Sequence, residues 1–225
     1  MITYFNLYQP EKEKLMAEDE YRKSELFDSP VFCGHPSGSR PTGPLSLSLK
    51  HNQRNEMMIW SWGFSFVVHE GILAEFATQG FTGYRTKPAS VRFRDGSVST
   101  EYHEFLVTGW AGMASAESGV RVVESCPACP RKYYSPITNY EKLIDWSNWT
   151  GDDFFMLWPL PGFKLITERV AFWLLSSGVR SFRLAGLDER LQGQRVPSSG
   201  FTPGRLLEVL PEDLAIKYGR PLGID

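Results

Sequence analysis

The segment Met58–Arg85 reads MIWSWGFSFVVHEGILAEFATQGFTGYR, and the segment Met156–Arg183, 98 positions later in the chain, reads MLWPLPGFKLITERVAFWLLSSGVRSFR. The two segments align without a gap. Apolar residues recur at matching positions that would face a core, so the sequence predicts one supersecondary unit that is used twice. Five aligned pairs are identical: Met58/Met156, Trp60/Trp158, Glu70/Glu168, Gly80/Gly178 and Arg85/Arg183.

Each segment has the pattern of a strand, a helix and a second strand. A short apolar run comes first, and apolar residues then follow at helical spacing, as Ile72 and Phe76 do in the first segment. Gly80 and Gly178 stand where a helix needs a left-handed closing residue. Two copies are too few for a solenoid. We therefore expect an α+β protein with internally duplicated strand–helix–strand units, packed with a mixed or antiparallel sheet.

The ends of the two predicted helices differ between the copies. Thr167 is suited to cap the second helix at its N-terminus, whereas His69 is a poorer cap at the equivalent place in the first. The second helix also carries Phe172 and Trp173 where the first has Ala74 and Glu75. Its additional apolar face is expected to pack either on the other copy or on a partner.

The chain length of 225 residues and the hydrophobic content of 42% suffice for one large domain or two lobes. The division predicted is an N-terminal lobe of residues 1–125 with the first copy and a C-terminal lobe of residues 126–225 with the second, with one continuous domain as the alternative. Outside the copies, helix-forming residues predict a helix over 11–26, and Asp95-Gly96 predicts a hairpin turn. A final helix is predicted over 212–218, and residues 187–203 have loop composition.

Composition and charge argue against several classes of partner. The net charge of −2 and the pI near 6.1 give no electrostatic footprint for nucleic acid or for an anionic membrane. The apolar runs are all shorter than the ~18 residues of a membrane-spanning helix, and the N-terminal stretch lacks the features of a signal peptide. The sequence therefore predicts a cytoplasmic protein that binds neither nucleic acid nor membrane.

Three cysteines and one histidine form a candidate zinc site. Cys126 and Cys129 make a CxxC pair after a predicted strand, which is typical of half a tetrahedral zinc site, and Cys33 and His35 could supply the other two ligands. Such a site would tie the N-terminal loop to the segment between the copies. The single residue between Cys33 and His35 is a tighter spacing than usual. A relic turn held by packing alone is the alternative.

A catalytic role has little support in the sequence. Phosphate-binding, dinucleotide-binding and zinc-protease motifs are missing from the chain. A cysteine-dependent hydrolase that uses Cys33 or Cys126 with His103 is the enzymatic alternative. We expect a protein that is not an enzyme.

Acidic and aromatic residues cluster just before the second copy and predict a surface that binds a partner protein. Large rings supply affinity at protein interfaces and rim carboxylates speed association with a basic partner. The alternative is that the tryptophans cover the core. With the second helix included, the predicted partner-binding residues are Asp145, Trp146, Trp149, Asp152, Asp153 and Trp173.

Two stretches carry a resemblance to a known family: YHEFLVTGWAGMASAESGVRVVESCPAC over 102–129 and KLIDWSNWTGDDFFMLWPLPGFKLITERVAFWL over 142–174. They resemble the double-CXXCG-motif immunity proteins of bacterial polymorphic toxin systems. The chain departs from the double motif in both halves. Pro130 follows the second CxxC, and the first motif is reduced to Cys33-Gly34 with Pro30 in place of a cysteine. A site with four cysteines is thus impossible, and His35, another histidine or water would have to complete it.

The resemblance implies a non-enzymatic, cytoplasmic protein that neutralises a cognate toxin by binding it directly. The expected partner is therefore the toxin protein, and the expected cofactor is zinc. A zinc-stabilised scaffold or regulatory protein is a further alternative.

Overall fold

The computed structural model describes residues 3–10, 16–20, 22–26, 33–35, 38–50, 56–61, 65–186 and 204–225. The strands in these residues are short and are connected by tight turns. In chain order they are β1 (Tyr4–Tyr8), β2 (Met16–Asp19), β3 (Ser24–Leu26), β4 (Ser39–Pro41), β5 (Leu45–Ser48), β6 (Met58–Ser61), β7 (Phe66–His69), β8 (Tyr84–Arg92), β9 (Val98–Ser99), β10 (Tyr102–Val107), β11 (Gly109–Met113), β12 (Val122–Ser125), β13 (Lys132–Tyr134), β14 (Phe154–Trp158), β15 (Lys164–Thr167) and β16 (Arg183–Ala185).

Within the described residues, three α-helices accompany these strands: α1 (Glu70–Thr78), α2 (Glu168–Ser176) and α3 (Glu212–Gly219). Short 3-10 turns cover Ala116–Ser118, Trp146–Asn148, Leu206–Glu208 and Arg220–Leu222. The α+β class predicted from the sequence is confirmed.

The first unit is a closed barrel of six strands. The order is β10-β7-β6-β2-β5-β8, and antiparallel pairing between β10 and β8 closes the ring. Side chains alternate along each strand, so every second residue points into the barrel. The interior is filled by a compact set of buried residues: Ala17, Leu45, Leu47, Leu49, Ile59, Val67, Ala89, Val91, Phe93 and Tyr102.

The second unit is a sheet of five strands in the order β11-β14-β15-β1-β16. Its central strand β1 comes from the start of the chain and pairs antiparallel with both β15 and β16. One core cluster lies between this sheet and the barrel and includes residues of both units, among them Trp60, Phe105, Phe154 and Leu165. The boundary predicted between residues 125 and 126 falls inside the hairpin formed by β12 and β13.

Part of the arrangement is common to the two units. In each, two antiparallel strands lead into a nine-residue helix, and a third strand is separated from the pair by a strand from elsewhere in the chain. Tyr102 on β10 lies opposite His69, and Tyr4 on β1 lies opposite Thr167, the residue equivalent to His69. The register of the separating strand is thus identical in the two units. A common origin of the copies stays a prediction.

The helix ends agree with the sequence prediction at the C-termini and differ from it at the N-termini. Gly80 and Gly178 both adopt the left-handed conformation predicted for a helix-closing residue, with φ of 64° and 81°. At the N-termini the expected order is reversed. The Nδ1 atom of His69 accepts a hydrogen bond from the N–H of Gly71, 3.1 Å away, whereas the Thr167 hydroxyl donates to Asp153.

The other local predictions have mixed outcomes. The hairpin around Asp95-Gly96 is confirmed, because β8 and β9 pair on either side of it. The last helix is confirmed as α3. The helix predicted over 11–26 is wrong, since the described part of that range forms β2 and β3. Residues 187–203 lie outside the described residues, as do residues 11–15.

A buried ion pair lies inside the barrel of the first unit. The carboxylate of Glu104 on β10 accepts hydrogen bonds from both terminal nitrogens of Arg22, at 2.8 and 2.7 Å. The Nε atom of Arg22 donates to the carbonyl of Gly43 at 2.8 Å. Only 13% of the arginine side chain and 5% of the glutamate side chain are exposed. The pair is therefore screened poorly by water and fixes the segment around Arg22 against the barrel.

Replacing Arg22 by methionine should destabilise the protein by about 3 kcal/mol, because Glu104 would keep a buried charge without its partner. The measurement is the free energy of unfolding in urea. The double variant Arg22→Met/Glu104→Met should lose less than the sum of the two single losses. Arg94→Met, in the exposed hairpin turn, is the control. A loss for Arg22→Met as small as that of the control would contradict the prediction.

Candidate functional site

The tip of the hairpin formed by β12 and β13 holds the CxxC pair. The N–H of Cys126 donates to the carbonyl of Arg131 at 3.0 Å and closes the turn. The N–H of Ala128 points at the Sγ atom of Cys126, 3.5 Å away. A backbone N–H aimed at a cysteine sulfur favours the thiolate, the form that binds metal ions.

Cys33 and His35 approach this tip from a separate segment of the chain. Gly34 between them has φ of 71°, a left-handed conformation that is strained for other residues. This turn allows two side chains only two positions apart to reach one place. One ligand atom from each of Cys33, His35, Cys126 and Cys129 lies within 4.8 Å of all the others. The structure thus brings together the four residues that were predicted to form the site.

Two contacts orient the imidazole of His35. Its Nδ1 atom lies 3.4 Å from the Sγ atom of Cys129, and its Nε2 atom lies 3.0 Å from the hydroxyl of Tyr133 on β13. The second contact holds the ring so that Nδ1 faces the thiols, as outer partners of metal-binding histidines do. Tyr133 was not among the predicted site residues. Its position four residues after Cys129, in the returning strand of the knuckle, was the only available signal.

The two cysteines of the CxxC pair differ in acidity. The pKa of Cys126 is lowered to about 7, first by the hydrogen bond from the backbone N–H of Ala128, with smaller contributions from Cys129 and His35. Burial raises the pKa of Cys129. Cys126 is therefore the thiol that loses its proton first as the pH rises.

The donor set fits a metal ion of the zinc type. Three thiols and one imidazole match a closed tetrahedral site, and soft sulfur ligands disfavour magnesium or calcium. In such a tetrahedron the sulfur atoms would stand roughly 3.8 Å apart. The observed spread of up to 4.8 Å therefore requires only a small inward movement of the side chains. Bound metal would cross-link the segment around Gly34 to the hairpin.

The arrangement gives the hydrolase alternative no geometric support. The imidazole beside the thiols belongs to His35, whereas His103 lies on β10, opposite Val68 and Pro88 in the barrel sheet. The three cysteines instead share the geometry of a ligand cluster.

Asp145 begins the acidic and aromatic segment and caps its first turn. Its carboxylate accepts hydrogen bonds from the N–H of Ser147 at 3.0 Å and from the side-chain amide of Asn148 at 2.8 Å. It thereby caps the 3-10 turn Trp146–Asn148. The hydrogen bonds from Ser147 lower the pKa of Asp145, so the exposed carboxylate is charged at neutral pH.

Trp146 and Trp149 are half-buried next to this turn. Their rings meet edge to face at 5.4 Å and both lie against Phe155 of β14. The indole N–H of Trp149 donates to the carbonyl of Asp152 at 3.2 Å. Part of each ring belongs to the core and part reaches the surface. Asp145, Trp146, Trp149 and the half-buried Asp152 are called the acidic–aromatic surface below.

Asp153 has a different environment from Asp152. It is buried, with 8% of its surface exposed. Its carboxylate accepts hydrogen bonds from the N–H of Thr82 at 3.0 Å, from the hydroxyl of Thr167 at 3.0 Å and from Arg169 at 2.6 Å. These partners come from both units, so the carboxylate joins the units inside the protein.

Trp173 also lies in the contact between the units. It is half-buried, and its ring packs edge-on against Phe76 at 5.2 Å and Phe81 at 6.1 Å, both from the first unit. Its neighbour Phe172 points away from this contact and is 64% exposed. The additional apolar face predicted on the second helix is thus divided between the other unit and solvent.

Comparison with known proteins adds no assignment: the chain matches no protein-family model and no curated protein sequence. Among the residues that the structure describes, none of the helices combines the length and apolar character needed to cross a membrane.

Asp153→Ala should destabilise the protein by about 2–3 kcal/mol, because it leaves the N–H of Thr82 and the hydroxyl of Thr167 without their acceptor. The adjacent Asp152→Ala is the matched control and should cost less than about 1 kcal/mol, since Asp152 is only half-buried. Urea unfolding of both variants measures the difference. Equal losses would contradict the internal role of Asp153.

Proposed function

We propose that the protein is a non-catalytic, cytoplasmic immunity protein that neutralises a cognate toxin by binding it. The resemblance described above suggests the class. The observation that carries the proposal is the acidic–aromatic surface, in which Asp145 fixes the backbone while Trp146 and Trp149 present ring edges beside it.

This surface has the properties of a binding site that loses little entropy on association. Its backbone is capped and its rings are packed, so few side chains need to be ordered when a partner binds. Toxins that act on nucleic acids or nucleotides are commonly basic. The carboxylates of Asp145 and Asp152 would attract such a partner and could mimic the charge of its substrate.

The double variant Asp145→Asn/Asp152→Asn should weaken toxin binding by about tenfold and reduce its dependence on salt. Asparagine caps a helical turn nearly as well as aspartate, so the fold should be kept while the charge is lost. The measurement is calorimetric titration with the cognate toxin domain, which is sought first among the genes beside this one. Trp149→Ala is a poorer probe because it also removes packing against Phe155.

Glu124→Gln serves as the matched control, since Glu124 is an exposed carboxylate on β12. The control should bind the toxin with unchanged affinity. Both variants should keep the thermal midpoint of the original protein. Unaltered affinity of the double variant would exclude the acidic–aromatic surface as the toxin contact. Failure of the unaltered protein to bind the toxin would reject the immunity function.

We further propose that Cys33, His35, Cys126 and Cys129 bind one zinc ion with a structural role. The closed set of four protein ligands supports this, because catalytic zinc sites keep a position open for water or substrate. The hydrogen bond between Tyr133 and His35 supports it as well. Bound zinc would stabilise the folded state, in which the two parts of the site meet.

Protein purified without added metal or chelator should contain about one equivalent of zinc, and Cys126→Ser should lose most of it, since one thiolate ligand is removed. Elemental analysis measures the content, and the thermal midpoint should fall when a chelator removes the ion. His103→Asn is the control and should retain the zinc. Less than about 0.2 equivalents in the unaltered protein would reject a tight structural site.

A further inference from the structure

In the first unit, two residues from a distant part of the chain pack at the C-terminal end of α1. Just after α1, Asp153 and Phe154 each make one hydrogen bond with the backbone of Thr82. The N–H of Phe154 donates to the carbonyl of Thr82 at 3.0 Å, and the carboxylate of Asp153 accepts from the N–H of Thr82, also at 3.0 Å. The ring of Phe154 packs against Phe81 at 6.4 Å and Tyr84 at 5.6 Å. An acidic residue followed by an aromatic one therefore fills the end of this helix–strand groove.

The second unit has a groove beside α2 that includes part of the equivalent surface. Val179, Arg180 and Phe182 occupy the positions of Phe81, Thr82 and Tyr84, and all three line a groove of about 550 Å³. None of the described residues fills it as Phe154 fills the first. Phe172 and Leu175 on its wall are 64% and 67% exposed.

The residues that differ between the two grooves suit an acidic and aromatic ligand in the second. Arg180 places an exposed guanidinium where the first unit has Thr82, so a carboxylate docking there would gain a charged partner. Phe172 and Leu175 replace Ala74 and Ala77 and extend the apolar wall at the solvent side, where the first helix carries small residues. Large apolar side chains exposed together beside a cavity are typical of protein-binding surfaces.

We propose that the groove between α2 and β16 binds an extended segment of a partner protein in which an acidic residue directly precedes an aromatic one. The aromatic ring enters between Val179 and Phe182, and the carboxylate pairs with Arg180. The acidic–aromatic surface contains neither α2 nor β16. The proposal is independent of whether the partner is a toxin.

The probe is a capped peptide with the sequence TGDDFF, residues 150–155 of this chain. It contains Asp153 and Phe154, the pair that fills the first groove. Added to isotopically labelled protein, it should shift the NMR signals of residues 171–186 in a saturable manner, with a dissociation constant on the order of 1 mM. Arg180→Glu and Leu175→Asp should each weaken this binding by at least about tenfold. A peptide in which alanine replaces the residue corresponding to Phe154 should not bind.

Ala77→Asp, at the position in α1 equivalent to Leu175, is the matched control and should bind the peptide like the original protein. Circular dichroism verifies that every variant is folded. The proposal is overturned if the peptide causes no shifts up to about 10 mM, or if both groove variants bind it unchanged. The molecular mass of the protein in solution is measured as well. A mass that rises with protein concentration in the original protein but not in Leu175→Asp would also overturn the proposal, because the occupant would then be a second copy of the chain.

Discussion

The carboxylate of Asp153 is the contact on which the arrangement of the two units depends. It accepts hydrogen bonds from Thr82 at the end of the first unit's helix and from Thr167 and Arg169 at the start of the second unit's helix. Arg169 also donates to the carbonyls of Gln79 and Gly80, so one arginine connects this carboxylate to the C-terminus of α1. A cation at that end of a helix is favoured by the helix dipole. The orientation of the units thus depends on charge, whereas their adhesion depends on the apolar core.

The cluster of Cys33, His35, Cys126 and Cys129 would perform a similar task at a different place if it binds a metal ion. The segment around Gly34 is distant in sequence from the hairpin of β12 and β13. One ion bound by the four ligands would fix it against that hairpin. In both places, a few polar atoms with strict geometry would join elements that are distant in sequence.

The sequence predicted those features that depend on local residue type. The turn at Asp95-Gly96 and the left-handed Gly80 follow from backbone preferences, and the ligand set was found because few residue types bind zinc. The role of Asp153 could not be read in this way, because its partner Thr82 lies 71 positions away and its neighbour Asp152 looks identical in sequence. The range 11–26 has helix-forming composition, yet its described part forms strands, because pairing with β5 and β6 overrides local propensity.

The position of β1 has a consequence for synthesis of the chain. Both of its neighbours in the sheet, β15 and β16, lie near the other end of the sequence, so β1 emerges from the ribosome long before either can pair with it. At usual translation rates the delay is roughly 10–30 s. During this time the apolar residues Phe5 and Leu7 remain exposed, while the barrel, whose strands all lie between residues 16 and 107, can already close. Although β1 is made before the other described strands, it is thus among the last of them to be buried.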